Sequence, residues 1–290
     1  MIRKLRRATA LRHEADYRHS LAAFNALVQR LRSSDSFAST VRAMPRMPLA
    51  LVERILTQVY ARTVSLEVEK LRAYENGTDF VYGELLPGFA SAIFRETGLA
   101  ASHVLVDLGS GVGNVVLQAA LECGCESWGC EIMAKASELA ARQKREFEAR
   151  CRLWGFAHGA THLRAADFLA DAETGRALRR ADVVLVNNQA FTPALNDGLV
   201  NLFLDLKDGC RIVSLKPFVG TEHRVTKRNY NSPLNLLRVT RRAYGSDSVS
   251  WTSAPGDYYI SVKDGSMLRR FARANSLNTS DAALPPGEKA

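Results

Sequence analysis

The octet Asp107-Leu108-Gly109-Ser110-Gly111-Val112-Gly113-Asn114 decides the fold of this chain, because it joins a predicted strand to a predicted helix. Residues 104–106, before the octet, are an apolar run typical of a buried strand, and residues 115–122 have the apolar spacing of a helix. Glycines at such a turn let the backbone bend sharply and approach a ligand that a Cβ would keep away.

The glycine spacing indicates which ligand the octet binds. Dinucleotide-binding loops follow the pattern G-x-G-x-x-G, which brings a pyrophosphate to the helix N-terminus. Here the pattern is G-x-G-x-G, and Asn114 stands where the third dinucleotide glycine would be. Asp107, just before the glycines, suits a cationic amino-acid group better than a diphosphate. The octet therefore predicts an S-adenosylmethionine site.

Strands and helices alternate on the C-terminal side of the octet. Strands are predicted at 127–130, 183–186 and 211–215, helices at 133–154 and 193–206, and a closing antiparallel pair at 234–244 and 258–262. With a further strand before Asp167, this alternation predicts right-handed βαβ units and a seven-stranded, mostly parallel sheet with helices on both faces. The fold class is α/β, a class I S-adenosylmethionine methyltransferase (Rossmann-like) sheet preceded by a helical N-terminal lobe.

The sequence divides into three regions. Residues 1–75 are expected to form a basic helical N-terminal lobe, residues 76–265 the catalytic core, and residues 266–290 a flexible tail. Apolar residues recur at helical spacing in the first region: Leu21, Phe24, Leu27, Val28 and Leu31. The Asn76 to Asp79 turn separates it from the core.

The positive charge of the chain is concentrated in the N-terminal lobe. Of the net charge of +9, residues 1–72 carry +8, with 14 Lys/Arg against 6 Asp/Glu. Such a segment is expected to contact phosphates, here DNA, or an acidic protein surface. The alternative is a solvated helical face without a partner.

Cysteine and hydropathy patterns exclude several classes of protein. The cysteine count of five is odd, and no apolar run reaches 18 residues, so we expect an intracellular chain that neither spans a membrane nor is secreted. Cys123, Cys125 and Cys130 do not have the spacing of a zinc ribbon or finger. We therefore predict no metal site.

Chemically useful side chains follow three later strands. Glu131 lies about 20 residues after the octet, where a carboxylate accepts from ribose hydroxyls. Asp167 and Phe168 are placed to accept the adenine amino group and to pack against the purine. Asn187 to Phe191 follows the fourth strand, where nitrogen methyltransferases carry amide and aromatic residues. Taken alone, each motif also fits an ordinary solvated strand end.

Seven motifs occur in the order found in one family. They are Val81-Tyr82-Gly83-Glu84, the octet, Gly129-Cys130-Glu131, Asp167-Phe168, Val186-Asn187-Asn188, Ser214-Leu215-Lys216-Pro217-Phe218, and Ser248-Val249-Ser250-Trp251-Thr252 followed by Tyr258-Tyr259. From about residue 80 to 263 the chain resembles the disruptor-of-telomeric-silencing histone methyltransferases. That family lacks a SET domain and methylates a core lysine of histone H3, the seventy-ninth residue, on the nucleosome.

The resemblance implies a role for each matching residue. Tyr82 and Glu84 would cover the methionine end of the cofactor, and its cradle would be formed by Asp107, Gly109, Gly111 and Asn114. Glu131 would bind ribose, and Asp167 and Phe168 would bind adenine. Asn187 and Phe191 would lie near the transferred methyl group, and the lysine channel would be walled by Trp251 and Tyr258. The residues expected to take part in catalysis are Asn187, Trp251, Tyr258 and Tyr82. Gln189 and Leu85 depart from the family pattern. The resemblance therefore does not settle the pocket wall at Gln189 or the polarity of the channel lip at Leu85.

The chemistry of methyl transfer agrees with these roles. A lysine ammonium has no lone pair, so it must lose its proton before it attacks a sulfonium methyl group in line. An aromatic, poorly hydrated channel favours the neutral amine. No dedicated general base stands out in the sequence.

The resemblance also implies partners and a compartment. Arg228 matches an arginine that docks on the acidic patch of the outer histone dimer, and a ubiquitinated histone is a further implied partner. The implied compartment is the nucleus. Two alternatives stay open: a methyltransferase acting on RNA or a ribosomal protein, and an inactive chromatin adaptor that binds the cofactor.

Overall fold

The computed structural model of the chain describes residues 1–34, 39–40, 43–44, 46–72, 82–266 and 268–273, with only the backbone at residues 70 and 72. The predicted turn at 76–79, the boundary between residues 75 and 76, and residues 274–290 of the predicted tail lie outside these residues. The described part of that tail, residues 266 and 268–273, is helical.

The helices and strands follow one another in the predicted alternation. The helices are α1 (Ile2–Ala10), α2 (Glu14–Ser33), α3 (Leu49–Thr63), α4 (Val68–Arg72), α5 (Pro87–Glu96), α6 (Asn114–Cys123), α7 (Ala134–Trp154), α8 (Ala172–Arg180) and α9 (Pro193–Leu202). The strands are β1 (Val104–Leu108), β2 (Glu126–Glu131), β3 (Thr161–Ala165), β4 (Val183–Val186), β5 (Arg211–Ser214), β6 (Leu237–Tyr244) and β7 (Gly256–Lys263).

The seven strands form one sheet in the order β3-β2-β1-β4-β5-β7-β6. Strands β1 to β5 are parallel, whereas β7 is antiparallel to both of its neighbours, β5 and β6. The predicted class I methyltransferase sheet, with its closing antiparallel pair, is therefore confirmed.

Strand register brings the predicted site residues to one edge of the sheet. Asp107 in β1 lies opposite Gly129 in β2 and Leu185 in β4, and Glu131 at the end of β2 lies opposite Ala165 in β3. Because these strands are parallel, their carboxyl ends meet at the same edge. Ligands of open α/β sheets bind in the crevice outside that edge.

The central strands β1, β4 and β5 are buried on both faces of the sheet, which explains their nearly continuous apolar sequences. Alternate residues of β1 enter different cores: Leu105 packs with Phe89 and Phe94 of α5, and Val106 packs with Leu178 of α8. All five residues of β1 are buried, so the strand holds the start of the glycine-rich loop in a fixed position.

Helix α3 packs directly on the core of the sheet domain. Val52, Ile55 and Val59 share one face of the helix at i, i+3 and i+7, and all three are buried with residues of α6 and α7 such as Leu117 and Phe147. Each such side chain contributes about 1.5–3 kcal/mol of burial free energy. These contacts fix the position of α3 beside the site.

Helices α1 and α2 pack against each other. In the described part of the chain, no helix combines the length and the apolar character needed to cross a membrane.

Candidate active site

The glycine-rich loop adopts a backbone that requires glycine. Gly109, Gly111 and Gly113 have φ values of +82°, +54° and +83°, in the left-handed region that side chains rarely adopt. A Cβ on Gly111 would also lie 3.0 Å from Cε2 of Tyr82. The N–H groups of Gly109 and Ser110 donate to the carbonyl of Cys130, at 2.9 and 3.1 Å, which ties the loop to β2.

A cleft runs along the loop at the carboxyl edge of the sheet. Its wider part has a volume of about 860 Å³ and its narrower part about 380 Å³. The two parts share five residues, Tyr82, Gly83, Gly109, Gly111 and Asn187. None of the residues that line the described cleft is a lysine or an arginine. A diphosphate would find no cationic partner in it.

Two carboxylates lie beneath the loop. Asp107 is 4% exposed and Glu131 is 8% exposed. Burial, together with the charge of Glu131, raises the pKa of Asp107 to about 7. Burial also raises the pKa of Glu131, although backbone N–H groups oppose the shift. A cationic ligand group would relieve this unfavourable pair of charges.

Glu131 is held in place by the backbone around it. Its Oε2 accepts from the N–H of Gly111 at 2.9 Å, and its Oε1 accepts from the N–H of Met133 at 2.7 Å. The N–H of Ile132 also bonds to this carboxylate, which has about four lone-pair sites in all. The carboxylate therefore retains acceptor capacity for a ligand hydroxyl, as the predicted ribose contact requires.

The wider part of the cleft ends between two aromatic rings. Phe168 and Phe191 lie nearly parallel, with an interplanar angle of 29° and ring centroids 6.5 Å apart. Asp167 lines the same end, as do Ile132 and Leu169, which are about half exposed. A flat heterocycle fits such walls. Phe191 thus lies in the wider part of the cleft, with its Cζ 3.4 Å from where a Cβ on Gly109 would be.

Glu84 lies at the opposite, narrow end of the cleft with Asp107 and Asn114. Its Oε1 accepts from the hydroxyl of Tyr82 and, at 3.1 Å, from the hydroxyl of Tyr60. Burial and the neighbouring Glu84 raise the pKa of Tyr82 far above its usual value, so this phenol stays protonated and acts as a donor.

Asn114 is oriented by a residue that sequence analysis did not identify. Gln143 of α7 donates from Nε2 to Asn114 Oδ1 and to the carbonyl of Val112, each at 2.8 Å. The amide N–H groups of Asn114 remain for a ligand at the methionine end. Nothing in the sequence links position 143 to the octet, because this contact depends on the packing of α7.

The two asparagines after β4 have different roles. Asn188 is fully buried and structural, since its Oδ1 accepts from the N–H groups of Leu215 and Lys216. Asn187 lines the cleft, where its Nδ2 donates to the carbonyl of Gly83 at 3.1 Å. Its Oδ1 is buried and has no hydrogen-bond partner among the described residues. That oxygen is an unused acceptor at the junction of the two parts of the cleft.

Trp251 lies against residues 82–85, a segment that lines the cleft and is called the strap. A Cβ on Gly83 would come within 2.7 Å of its Cε3, so only glycine at position 83 allows this ring packing. The ring is 39% exposed. Ser250, which sequence analysis left without a role, accepts from Glu84 N–H through its Oγ and donates its own N–H to the carbonyl of Glu84, each at 2.9 Å.

Tyr258 does not lie in the cleft. It is 1% exposed and packs edge-on against Phe89, with ring centroids 5.1 Å apart, in the core beneath α5. Burial and the nearby Glu96 raise the pKa of its phenol to about 12. The structure therefore does not bring this residue together with Trp251 as a channel wall; β7 turns its side chain toward the α5 face of the sheet.

The two departures from the family pattern also have defined positions. Gln189 is exposed and does not line the cleft. Leu85 is buried, bridges to Val249 and lines the narrow part of the cleft.

Comparison with known proteins identifies the family. Residues 60–263 match the family described as histone methylation protein DOT1. A relative from Emericella nidulans, named histone-lysine N-methyltransferase, H3 lysine-79 specific, is 59% identical over 272 residues, which are 94% of this chain and 54% of the relative. A relative of the same name from Aspergillus fumigatus is 59% identical over 270 residues, covering 93% and 54%.

Solved structures with similar chains include a putative RNA methyltransferase from Pyrococcus horikoshii and an RNA methyltransferase from Salinibacter ruber bound to S-adenosyl-L-homocysteine. The first has a TM-score of 0.45 at 14% identity and covers 73% of this chain and 98% of its own. The second has a TM-score of 0.41 at 18% identity and covers 62% and 94%. This chain spans about half the length of the curated relatives it matches. It belongs to the DOT1 family of histone methylation proteins.

Proposed function

We propose that this member of the DOT1 family transfers methyl groups from S-adenosylmethionine to the side-chain amine of a core lysine of nucleosomal histone H3, the lysine-79 of the relatives' names. The observation that carries the proposal is the cleft at the carboxyl edge of the sheet. One continuous wall contains the glycine loop, two buried carboxylates, an aromatic end and an unused amide oxygen.

The residues of the cleft fit S-adenosylmethionine from end to end. Asp107 and Glu84 suit the ammonium group, and the amide of Asn114 suits the carboxylate of the methionine part. Glu131 suits the two ribose hydroxyls, and Phe168 supplies an aromatic wall for the adenine. The positive φ values of the loop glycines support the same fit, because they allow the backbone to approach the ligand closely.

The bound cofactor supplies an electrophilic methyl group on a sulfonium. The side chain of Asn187 lies where the two parts of the cleft join, and its free Oδ1 can accept an N–H from the incoming amine. Such a hydrogen bond would aim the nitrogen lone pair at the methyl group, and this alignment is the main requirement of an in-line displacement. Tyr82 does not act as a base, because its phenol holds its proton.

Trp251 is proposed to form the wall of the lysine channel. Its ring lies on Gly83, whose carbonyl accepts a hydrogen bond from Asn187, and it is partly exposed at the surface. An aromatic face attracts a lysine ammonium during approach and favours the neutral amine once water is excluded. For Tyr258, its burial against Phe89 beneath α5 supports a packing role in the core.

Docking on the nucleosome is proposed to use the loop between β5 and β6. The arginines of β6 are already engaged within the chain: Arg238 pairs with Asp264, Arg241 with Asp257 and Arg242 with Glu96. Arg224, Lys227 and Arg228 are exposed and form no ion pair within the described chain. An arginine can bind two carboxylates at once, so Arg228 is the proposed anchor on the acidic patch of the outer histone dimer.

The N-terminal lobe is proposed to contact nucleosomal DNA. Arg3, Lys4, Arg6 and Arg7 of α1 are all exposed, and residues 1–72 carry a net charge of +8. A ubiquitinated histone is a further proposed partner, and the nucleus is the proposed compartment. The family resemblance suggests the ubiquitinated histone, and the nuclear compartment follows from a nucleosomal substrate.

A transfer assay with a labelled methyl donor tests the proposal by comparing nucleosomes, free histones and RNA as acceptors. We expect label on H3 in nucleosomes and at least tenfold less on the other two. Asn187→Ala is expected to lower transfer about a hundredfold, because alignment of the reacting atoms contributes several kcal/mol to such reactions, while S-adenosylhomocysteine still binds. Preferential labelling of RNA would assign a different substrate.

A further inference from the structure

We propose that Tyr60, on helix α3, is a positioning residue for cofactor binding that acts through Glu84. This inference rests on the proposed function, since it assigns S-adenosylmethionine to the cleft. It adds a residue from the N-terminal helices to a site otherwise built from the sheet domain.

The Glu84 carboxylate accepts hydrogen bonds from two tyrosines. The Tyr60 hydroxyl donates to Glu84 Oε1 at 3.1 Å, and the Tyr82 hydroxyl donates to the same oxygen. Hydrogen bonds to a carboxylate are about twice as strong as those between neutral groups. Two donors therefore fix the carboxylate that lies beside Asp107 at the methionine end of the cleft.

The anchoring of the two donors differs. Tyr82 lies on the strap, next to Gly83, which lines the cleft itself. Tyr60 belongs to α3, whose Val52, Ile55 and Val59 are buried against α6 and α7. The Tyr60 hydroxyl is thus a hydrogen-bond donor whose position is set by the packing of α3 and not by the strap.

A cavity next to Glu84 explains why the Tyr60 hydrogen bond matters. A cavity of about 650 Å³ lies between α3 and the start of α5, and its lining includes Tyr60, Thr57, Glu84 and Asn114. Glu84 and Asn114 line the cofactor cleft as well. The carboxylate of Glu84 therefore has room to rotate away from the cleft. The Tyr60 hydroxyl opposes that rotation.

The backbone of Glu84 is held independently of its side chain. Its N–H and carbonyl both bond to Ser250, each at 2.9 Å. Removal of the Tyr60 hydroxyl should therefore leave the strap in place and release the carboxylate alone. The effect should appear in cofactor affinity rather than in folding.

Calorimetry with S-adenosylhomocysteine tests the inference. Tyr60→Phe should raise the Kd about threefold to tenfold, which is less than the full loss of a hydrogen bond to a charged group, because Tyr82 still donates to the carboxylate. Thr57→Val is the matched control, because it changes the same cavity wall on the same helix without removing a bond to Glu84. Its Kd should stay within twofold of the unaltered chain.

A double-substitution cycle separates positioning from general packing. In a Glu84→Ala background there is no carboxylate to hold, so Tyr60→Phe should change the Kd by less than about 1.5-fold. An equal loss in both backgrounds, or an unchanged Kd for Tyr60→Phe alone, would overturn the inference while leaving the cofactor assignment intact. If the unaltered chain fails to bind S-adenosylhomocysteine, the proposed function and this inference are both wrong.

Discussion

Asp107 is expected to destabilise the free protein while serving cofactor binding. Its pKa of about 7, against an ordinary value of 3.8, means that the folded chain holds a proton which the unfolded chain releases above pH 4. The free energy of unfolding should therefore fall as the pH rises from about 4 to about 7. A shift of about three pKa units corresponds to a loss on the order of 4 kcal/mol when complete.

Asp107→Asn removes this titration at nearly constant volume. We expect the variant to be more stable than the parent at pH 8, by a few kcal/mol at most, and the advantage to shrink as the pH falls toward 5. Urea unfolding at pH 5, 6.5 and 8 measures the difference. Glu131 is unchanged in the variant, so the difference reports Asp107.

The same substitution should weaken the cofactor site. In the parent, the ligand ammonium favours ionised Asp107, so the affinity for S-adenosylhomocysteine should rise by up to tenfold per pH unit below about pH 7 and then level off. Asp107→Asn should bind at least tenfold more weakly at pH 8, with a flatter pH profile. A variant destabilised equally at pH 5 and 8, or a parent affinity independent of pH, would refute the reasoning.

Three further predictions concern the cofactor loop, the basic lobe and the docking loop. Glu131→Ala and Gly111→Arg should abolish binding of S-adenosylhomocysteine in calorimetry with little change in fold, because one loses the ribose acceptors and the other places a side chain against Tyr82. Deletion of residues 1–32 should reduce the double-logarithmic salt slope of nucleosome binding by ~0.9 per lost phosphate contact; an unchanged slope would leave the lobe without a DNA role. Arg228→Ala should lower nucleosome methylation about tenfold with cofactor affinity unchanged, and an equal loss on nucleosomes without an acidic patch would contradict the docking role.

The sequence predicted the sheet because its signals are local and strong. The apolar run of β1, the octet and Glu131 define a βαβ unit within 28 residues, and the structure has that unit with the expected register. Asp107, Glu131, Asp167 and Asn187 meet at one edge because parallel strands bring their carboxyl ends together.

The remaining parts of the site depend on contacts distant in sequence. Tyr60 reaches Glu84 across 24 residues, and Ser250 reaches it across 166, so neither link has a periodic signal. The side chain of Tyr258 was expected in the channel, yet its position in β7 turns it toward Phe89. Which face of the sheet a strand residue occupies depends on register, and the sequence of β7 alone does not fix it.

Mass spectrometry of recombinant nucleosomes incubated with the chain and S-adenosylmethionine tests the central claim most directly. We expect added methyl groups on one lysine in the globular part of histone H3, reduced about a hundredfold with Asn187→Ala. Methylation confined to free histones or histone tails, or none by a chain that binds S-adenosylhomocysteine, would contradict it.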